Sequence, residues 1–558
     1  MADMVSRIYS GFRGVDFRGN EISLVRSPDS INMWKDYRET ESIRTRPGLK
    51  ALHGLSEPVY GIFFYNDICI VHSGTKLYKA ATGGMSVLYS GVKAAKSDSF
   101  IYNNLWFFKD GANYLQYDGI TIKEVEGYVP TTSIARKPSG GGKIHEDVNL
   151  LTGRRINTFL ADGESTVFAL DAKPIDTSFK PVVKVNDAAV ENFTVDYTNG
   201  KITFDKAPTV PKTDGQDNVS VEFQKTVKGY ADKIKKCTLL QVFDNRVFFS
   251  GNPDYPNMLW HCSLNDPTYC SDLDYYNEGQ SPTPIRGIVA GNNNLWVFRE
   301  PSQENTAVFY HTPTIDSEYG KIYPSQHSSI STGCVGRAIN FYDDILFFSE
   351  RGAEGISGDI TTEQFAAHRS SMVDRKMLSE SDYKDMVLEE WGGYLLVCIG
   401  KNIYLADSRA TLTNGNHTEY EWFAWQLEKP VRCTMVKDGI LYIGSDDGVY
   451  TLTDNETDVE SWWTTPLDKF KNPNKMKTSN KRGCVVEAEG AEISVYVKTN
   501  MDSDFEHIVT VNDVADAFTC RIKRKKWKDI RLKFYSTKRF RLETATLECF
   551  VGGYLKNL

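Results

Sequence analysis

One pattern recurs along the chain: a few apolar residues, a tight polar turn, then a continuous apolar run. It is clearest at 340–350, NFYDDILFFSE, and returns at 63–71 (FFYNDICIV), 100–108 (FIYNNLWFF) and 241–251 (QVFDNRVFFSG). Three more copies lie at 289–298 (VAGNNNLWVF), 388–400 (LEEWGGYLLVCIG) and 435–445 (MVKDGILYIGS). Asn, Asp and Gly fill the turns because a two-residue hairpin joining twisted strands needs positive φ, which these residues tolerate. The β-branched and aromatic flanks suit a pleated, largely buried sheet. Each unit therefore predicts a β-hairpin.

The spacing predicts the architecture. Turn to turn, the units lie about 37 residues apart at first, then about 45 to 50, with one gap near 140. Repeats of about 40 to 50 residues with several strands each mark propeller blades. The long gap equals one blade plus about 100 inserted residues. The expected fold is all-β: a six- or seven-bladed β-propeller with an inserted small β-sandwich and a C-terminal β-sandwich module. A series of separate β domains is the alternative.

This reading divides the chain into an extended arm (1–55), a first propeller part (56–135), the insert (136–230), a second propeller part (231–465) and the C-terminal module (466–558). The arm contains SPDSINMW and IRTRPGL, with Ile31, Met33 and Trp34 as apolar anchors. It either lies on its own propeller or reaches a neighbour. RKPSGGGK at 136–143 marks a junction, and about six short strands follow, with turns at Asn186-Asp187 and Asn199-Gly200. The stretch 369–386 is the one helical window, anchored by Met372, Met377 and Met386. In the last module 493–499, 507–513, 529–535 and 546–554 read as strands.

Composition narrows the function. A hydrophobic share of 41% with 25% charged residues describes a soluble globular protein, and the net charge of −8 argues against general nucleic-acid binding. No run of about 18 apolar residues predicts a membrane span. The opening MADMVSRIYSGFRG lacks a signal peptide's apolar core, so synthesis in the cytoplasm is expected. The ten cysteines include no Cys-x-x-Cys pair and read as buried reduced thiols.

No catalytic constellation stands out: there is no Gly-x-Ser-x-Gly elbow, Walker loop or His-Glu-x-x-His. His311 and His327 read as residues of polar loops, and Asp343-Asp344 and Asp446-Asp447 as hairpin turns. A glycosidase would need carboxylates converging at the propeller axis. The expectation is a non-enzyme without metal or cofactor.

Two charged stretches remain. Residues 521–541, RIKRKKWKDIRLKFYSTKRFR, are strongly basic with one acid, Asp529, and Ile530, Leu532 and Phe534 alternate with Arg531 and Lys533. Residues 446–460 hold six acids and no Lys or Arg. They read as solvated faces, as charge matching between neighbouring copies, or as phosphate contacts by the basic strand.

The glycines of residues 11–19, Asn32-Met33, Arg46-Pro47-Gly48 and the loop SGNPDYPN at 250–257, taken with the propeller pattern, carry a family resemblance. The chain resembles the tail nozzle, or packaged-DNA stabilisation, proteins of short-tailed bacteriophages. The insert is similar to modules of phage tail and fibre proteins. The resemblance implies a virion tail protein, made in the host cytoplasm and arranged as six copies in a ring below the connector. Such a ring extends the DNA channel, retains the genome and supports ejection. Its implied partners are itself, upstream connector or adaptor proteins, tail fibre or needle proteins and, transiently, the genomic DNA.

On that reading Ile31, Met33 and Trp34 anchor the arm to another subunit. Arg521, Lys523, Arg531 and Lys533 then face a neighbouring copy, matched by Asp446, Asp447, Asp454 and Glu456. The alternative function is a cell-surface glycan-binding or depolymerising propeller used in host adsorption.

Overall fold

A computed structural model describes residues 3–36, 41–81, 84–317, 320–357, 365–414, 417–454, 458–500, 502–523 and 526–554. The chain is a β-propeller with an inserted β-sandwich and a C-terminal β module, and it divides into two compact units. The first comprises Met1–Val87 and Ser328–Leu558, the second Leu88–His327.

Each hairpin predicted from sequence opens a blade of four antiparallel strands, and the one at 388–400 does so within a 14-stranded sheet. In the second unit, blade two is Asp98–Tyr102, Leu105–Lys109, Tyr114–Tyr117 and Ile122–Glu124. Blade three runs from Leu239–Phe243 to Tyr275–Asn277, and blade four from Ile285–Gly291 to Ser325–His327. In the first unit, blade one begins with Val59–Tyr65, blade five with Ala338–Phe341, blade six with Val387–Trp391 and blade seven with Cys433–Lys437. Seven blades are thus present among the described residues.

The turns show why the motif reads as it does. In six of the seven hairpins both turn residues have positive φ, for example Asn103 (47°) with Asn104 (58°) and Asp438 (52°) with Gly439 (76°). At 340–350 the turn is Tyr342-Asp343, at 47° and 66°, and Asp344 is already the first residue of a strand. The strand leaving each turn is mostly apolar, and in several blades both its faces are buried. Asn294–Arg299 and Tyr394–Ile399 are buried at all six positions.

Part of the stretch read as an arm is a blade strand. Gly48–Gly54 pairs antiparallel with Gly448–Thr453 and becomes the fourth strand of blade seven. Its sequence, GLKALHG, lacks the apolar alternation of the other strands and buries little, so nothing local marks it. Blade seven in turn packs on blade one through Val59, Ile62, Val71, Cys433 and Val449. The first and last blades are therefore neighbours, held by a strand from the start of the chain.

The insert forms a six-stranded sheet and a three-stranded sheet. Its first strand is Thr131–Arg136, which runs parallel to Arg154–Phe159. Phe168 meets Phe159 of the other sheet and Phe204 of its own edge to face, at 5.3 and 5.1 Å, contacts worth about 1 kcal/mol each beyond the area they bury.

The C-terminal module is built on Lys475–Thr499, a 25-residue strand. Register shifts between Ser479 and Cys484 and between Glu487 and Ala488 bend it. Its near half pairs with Ala517–Cys520 and Phe540–Tyr554, its far half with Glu506–Val514 and Ile530–Ser536. Ile530, Leu532 and Phe534 point into the core, as their alternation predicts.

The helical window 369–386 contains one α-helical turn, Asp374–Met377, and a short 3-10 turn, Tyr383–Asp385. Met372, Met377 and Met386 are buried as expected anchors. A second short helix, Tyr230–Lys235, follows the insert.

Candidate functional site

Asn32-Met33 and Arg46 of the arm meet in one buried clamp in the first unit. Ser30–Ile31 pairs with Trp462 and Trp463, and Met33–Trp34 lies between Ala424 of blade six and Thr45. Ile43 and Arg44 then pair with Leu542 and Arg541 of the C-terminal module. The arm supplies the strands that join blade six to that module in one sheet.

Asn32 makes the corner at φ 61°. Its Oδ1 accepts from the Gln426 amide at 2.7 Å and from Arg46 Nε at 2.9 Å, while its Nδ2 donates to the Glu460 carbonyl. Arg46 is fully buried. Its other donors reach the Pro47 and Gln426 carbonyls and Glu428 Oε1, at 2.8 to 2.9 Å. A guanidinium removed from water needs this full set of acceptors.

Met33 and Trp34 are accordingly buried in the core of their own chain, and Ile31 is half-buried. The side chains expected to anchor the arm to another subunit anchor it intramolecularly. Strand pairing made this choice, because each arm strand finds a partner within the same sheet.

The charged candidates also find partners within the chain. Asp446 pairs with Arg432 at 2.7 Å, and Asp447 with Lys429 at 2.6 Å. Asp454 receives Arg44 and Arg539, and Asp458 receives Lys538. The acidic stretch therefore meets the end of the basic stretch inside one molecule, where matching between copies was expected. Such exposed pairs contribute about 0–1 kcal/mol each. Arg531 donates to Asn20 Oδ1, and Lys533 lies over the Trp462 ring at 4.3 Å. Arg521 and Lys523 are exposed. Glu456 lies outside the described residues.

Among the buried polar groups, Glu278 and Lys109 were not singled out from sequence. In the second unit His311 Nε2 contacts Glu278 Oε1 at 2.9 Å, both fully buried, and Ser325 donates to Glu278 Oε2. His311 thus sits on a strand of blade four, not in a polar loop, and so does the exposed His327. The Ser325 hydroxyl faces the carboxylate rather than the imidazole, so the three are not ordered as nucleophile, base and orienter. The arrangement ties strands together. Lys109, also buried, donates to the Ile234 and Lys235 carbonyls at the end of the short helix; burial lowers its pKa to about 8.

In the first unit His368 lies between Asp374 Oδ2 (2.6 Å) and Glu354 Oε1 (3.4 Å). Burial opposes its charge, but the two carboxylates outweigh burial and hold its pKa up at about 9. The cation binds helix Asp374–Met377 to blade five. Nearby, Arg369 and the Tyr420 hydroxyl both reach Asp344, the residue expected in a turn.

Three of the cavities among the described residues bear on these elements. One of about 270 Å³ in the insert is lined by polar side chains, including Lys184, Asn186 and Asp217. A second, of about 640 Å³ beside the arm, carries Arg13, Arg18 and Arg26 against Asp16, Glu21 and Glu419. The third, of about 300 Å³, is walled by Trp34, Trp391 and Tyr394. No group of three metal-ligating side chains occurs among the described residues. All ten cysteines are free thiols, and all but Cys69 are buried. Among the described residues no helix is long and apolar enough to cross a membrane.

No family model matches the chain, and no curated protein matches it. Among solved structures it is similar to BamB from Moraxella catarrhalis, at 10% identity and a TM-score of 0.34, over 73% of this chain and 99% of that one. The N-terminal domain of Nup159 gives 8% identity and 0.33, over 73% and 95%. Hsv2 from Kluyveromyces lactis gives 8% identity and 0.26, over 66% and 98%. The β-propeller assignment rests on the seven blades themselves and on the strand from residues 48–54 that completes the last of them.

Proposed function

We propose that the chain is a structural component of a bacteriophage tail, the nozzle or packaged-DNA stabilisation ring. On this reading six copies close head to tail below the connector, extend the DNA channel, retain the genome and support its ejection. A heterologous contact whose rotation closes makes a ring rather than a filament.

The observation that carries the reading is the arm clamp. Asn32 and Arg46-Pro47-Gly48, the residues on which the resemblance rests, are bonded to one another and to blade six. The strands they flank, Met33–Trp34 and Ile43–Thr45, join blade six and the C-terminal module in one sheet, a construction suited to transmitting load. The net charge of −8 also suits a conduit, since an acidic protein does not hold the phosphate backbone of passing DNA.

The test is electron microscopy of the purified full chain mixed with the connector complex of the same phage. The expected result is a six-fold ring, coaxial with the connector and pierced by a channel. A chain that stays monomeric beside the connector, or binds it off-axis, would overturn the reading.

A further inference from the structure

The aromatic recess in the first unit borders the clamp, sharing Trp34 and Pro47 with it. Trp391 ends the first strand of blade six, beside the Gly392-Gly393 turn, and is half-buried. Its indole N–H donates to the carbonyl of Gly439, in the turn of blade seven, at 3.0 Å. Trp34 packs against it with centroids 5.7 Å apart and planes tilted by 30°. Tyr394 and Trp425 brace Trp34 edge-on at 5.5 and 5.4 Å. The Trp391 ring is therefore fixed before any ligand arrives. No atom lies within 4 Å of where a side chain would begin on Gly392 or Gly439, so the space beside both turns is open.

The polar side of the recess is Asp36 and Asp454. Asp36 is buried, whereas the Asp454 side chain is 52% exposed. Arg44 stands between them, 3.5 Å from Asp36 and 3.4 Å from Asp454, and Arg539 also reaches Asp454. The carboxylates are thus already balanced by guanidinium groups. With these charges balanced, an anion gains no net attraction there. A cation would find aromatic faces but little uncompensated negative charge. An uncharged polyol meets neither obstacle: its C–H face covers an indole and its hydroxyls donate to an accepting carboxylate. The volume, about 300 Å³, is at the small end for ligand pockets and suits one ring rather than a chain.

We propose that this recess binds a single neutral pyranose unit, stacked on Trp391 with its hydroxyls on Asp454. The proposal is independent of the assembly reading, because the recess is complete within one copy of the chain.

Saturation-transfer NMR on the full chain tests it with three neutral probes, methyl glucoside, methyl galactoside and N-acetylglucosamine. Glucuronate and tetramethylammonium are the charged controls. At least one neutral probe should receive saturation in preference to both controls. Its Kd should rise about tenfold or more, some 1.4 kcal/mol, in Trp391→Ala and in Asp454→Asn, and change less in Trp391→Phe. Asp454 is exposed, so its variant keeps the test decisive if Trp391→Ala fails to fold. The proposal falls if no neutral probe is saturated, if tetramethylammonium is preferred, or if Asp454→Asn binds the sugar as the parent does.

Discussion

Arg46 carries its charge into a buried site, and its acceptors come from Asn32, the adjacent Pro47 and the segment holding Gln426 and Glu428. Removing it takes a donor from Asn32 Oδ1 and from the Pro47 and Gln426 carbonyls, a loss of the kind that costs about 1–3 kcal/mol. Arg46→Met should therefore lower the thermal midpoint of the full chain sharply. Arg46→Lys should rescue little, because an ammonium cannot reproduce the planar fork. A lysine variant as stable as the parent would refute this account of the clamp.

His368 makes a prediction in pH. Its ordinary pKa of 6.5 rises to about 9 in the fold, so the folded state holds the proton more tightly than the unfolded state. The resulting stabilisation is complete below about pH 6.5 and is lost as pH rises through about 9. Melting His368→Gln beside the parent should show a clear deficit at pH 6 that shrinks by pH 10. His261 behaves in the opposite sense: burial lowers its pKa to about 4. It therefore stays neutral in the fold and weakens stability as pH falls from about 6.5 towards 4.

Among elements, the arm depends on close approach. Gly14 has φ +81°, and a side chain there would stand 2.1 Å from the Trp422 carbonyl oxygen in blade six. The adjacent Val15 amide donates to that same oxygen at 2.7 Å. Gly14→Ala must break this seam and should cost about 2 kcal/mol or more, combining strain and clash. Gly11→Ala, also at positive φ but with open space around it, should cost about 1 kcal/mol. Equal melting losses for the two would show that the close approach does not matter.

The hairpins were legible because their code is local. A two-residue turn demands positive φ, and Asn-Asn, Asp-Asn and Asp-Gly announce it in the residues that occupy it. Tyr342 shows where the code runs out: an aromatic residue takes the first turn position, and the register of Phe341 with Asp344 places the turn one residue earlier than the acids suggest. The strand Gly48–Gly54 was illegible because its reason to exist is a ladder to Gly448–Thr453, about 400 residues away.

At the scale of the whole molecule, the beginning and end of the described chain share one sheet. Asp3–Tyr9 pairs with Phe540–Tyr554 over seven residues, Asp3 opposite Val551 and Tyr9 opposite Ala545. Arg7 and Tyr9 both bond Asp468, between blade seven and the C-terminal module. Deleting residues 1–47 would expose the edges of blade six and of the C-terminal sheet together. The truncated chain should lose its cooperative melt and aggregate, as followed by circular dichroism and size-exclusion chromatography. A soluble truncated chain with the parent's melt would show the arm to be an appendage.

The sequence by itself determined the all-β class, the hairpins, the repeat that makes a propeller, the insert and the alternation of Ile530, Leu532 and Phe534. These follow from turn chemistry and from the two-residue period of a strand, which neighbouring residues express on their own. Tertiary structure alone decided that Met33 and Trp34 face inward, that Asp454 meets Arg44 and Arg539, and that Trp391 and Trp34 form one wall. Those outcomes depend on which strand lies beside which, and pairing over hundreds of residues leaves no mark on either partner until both are in place.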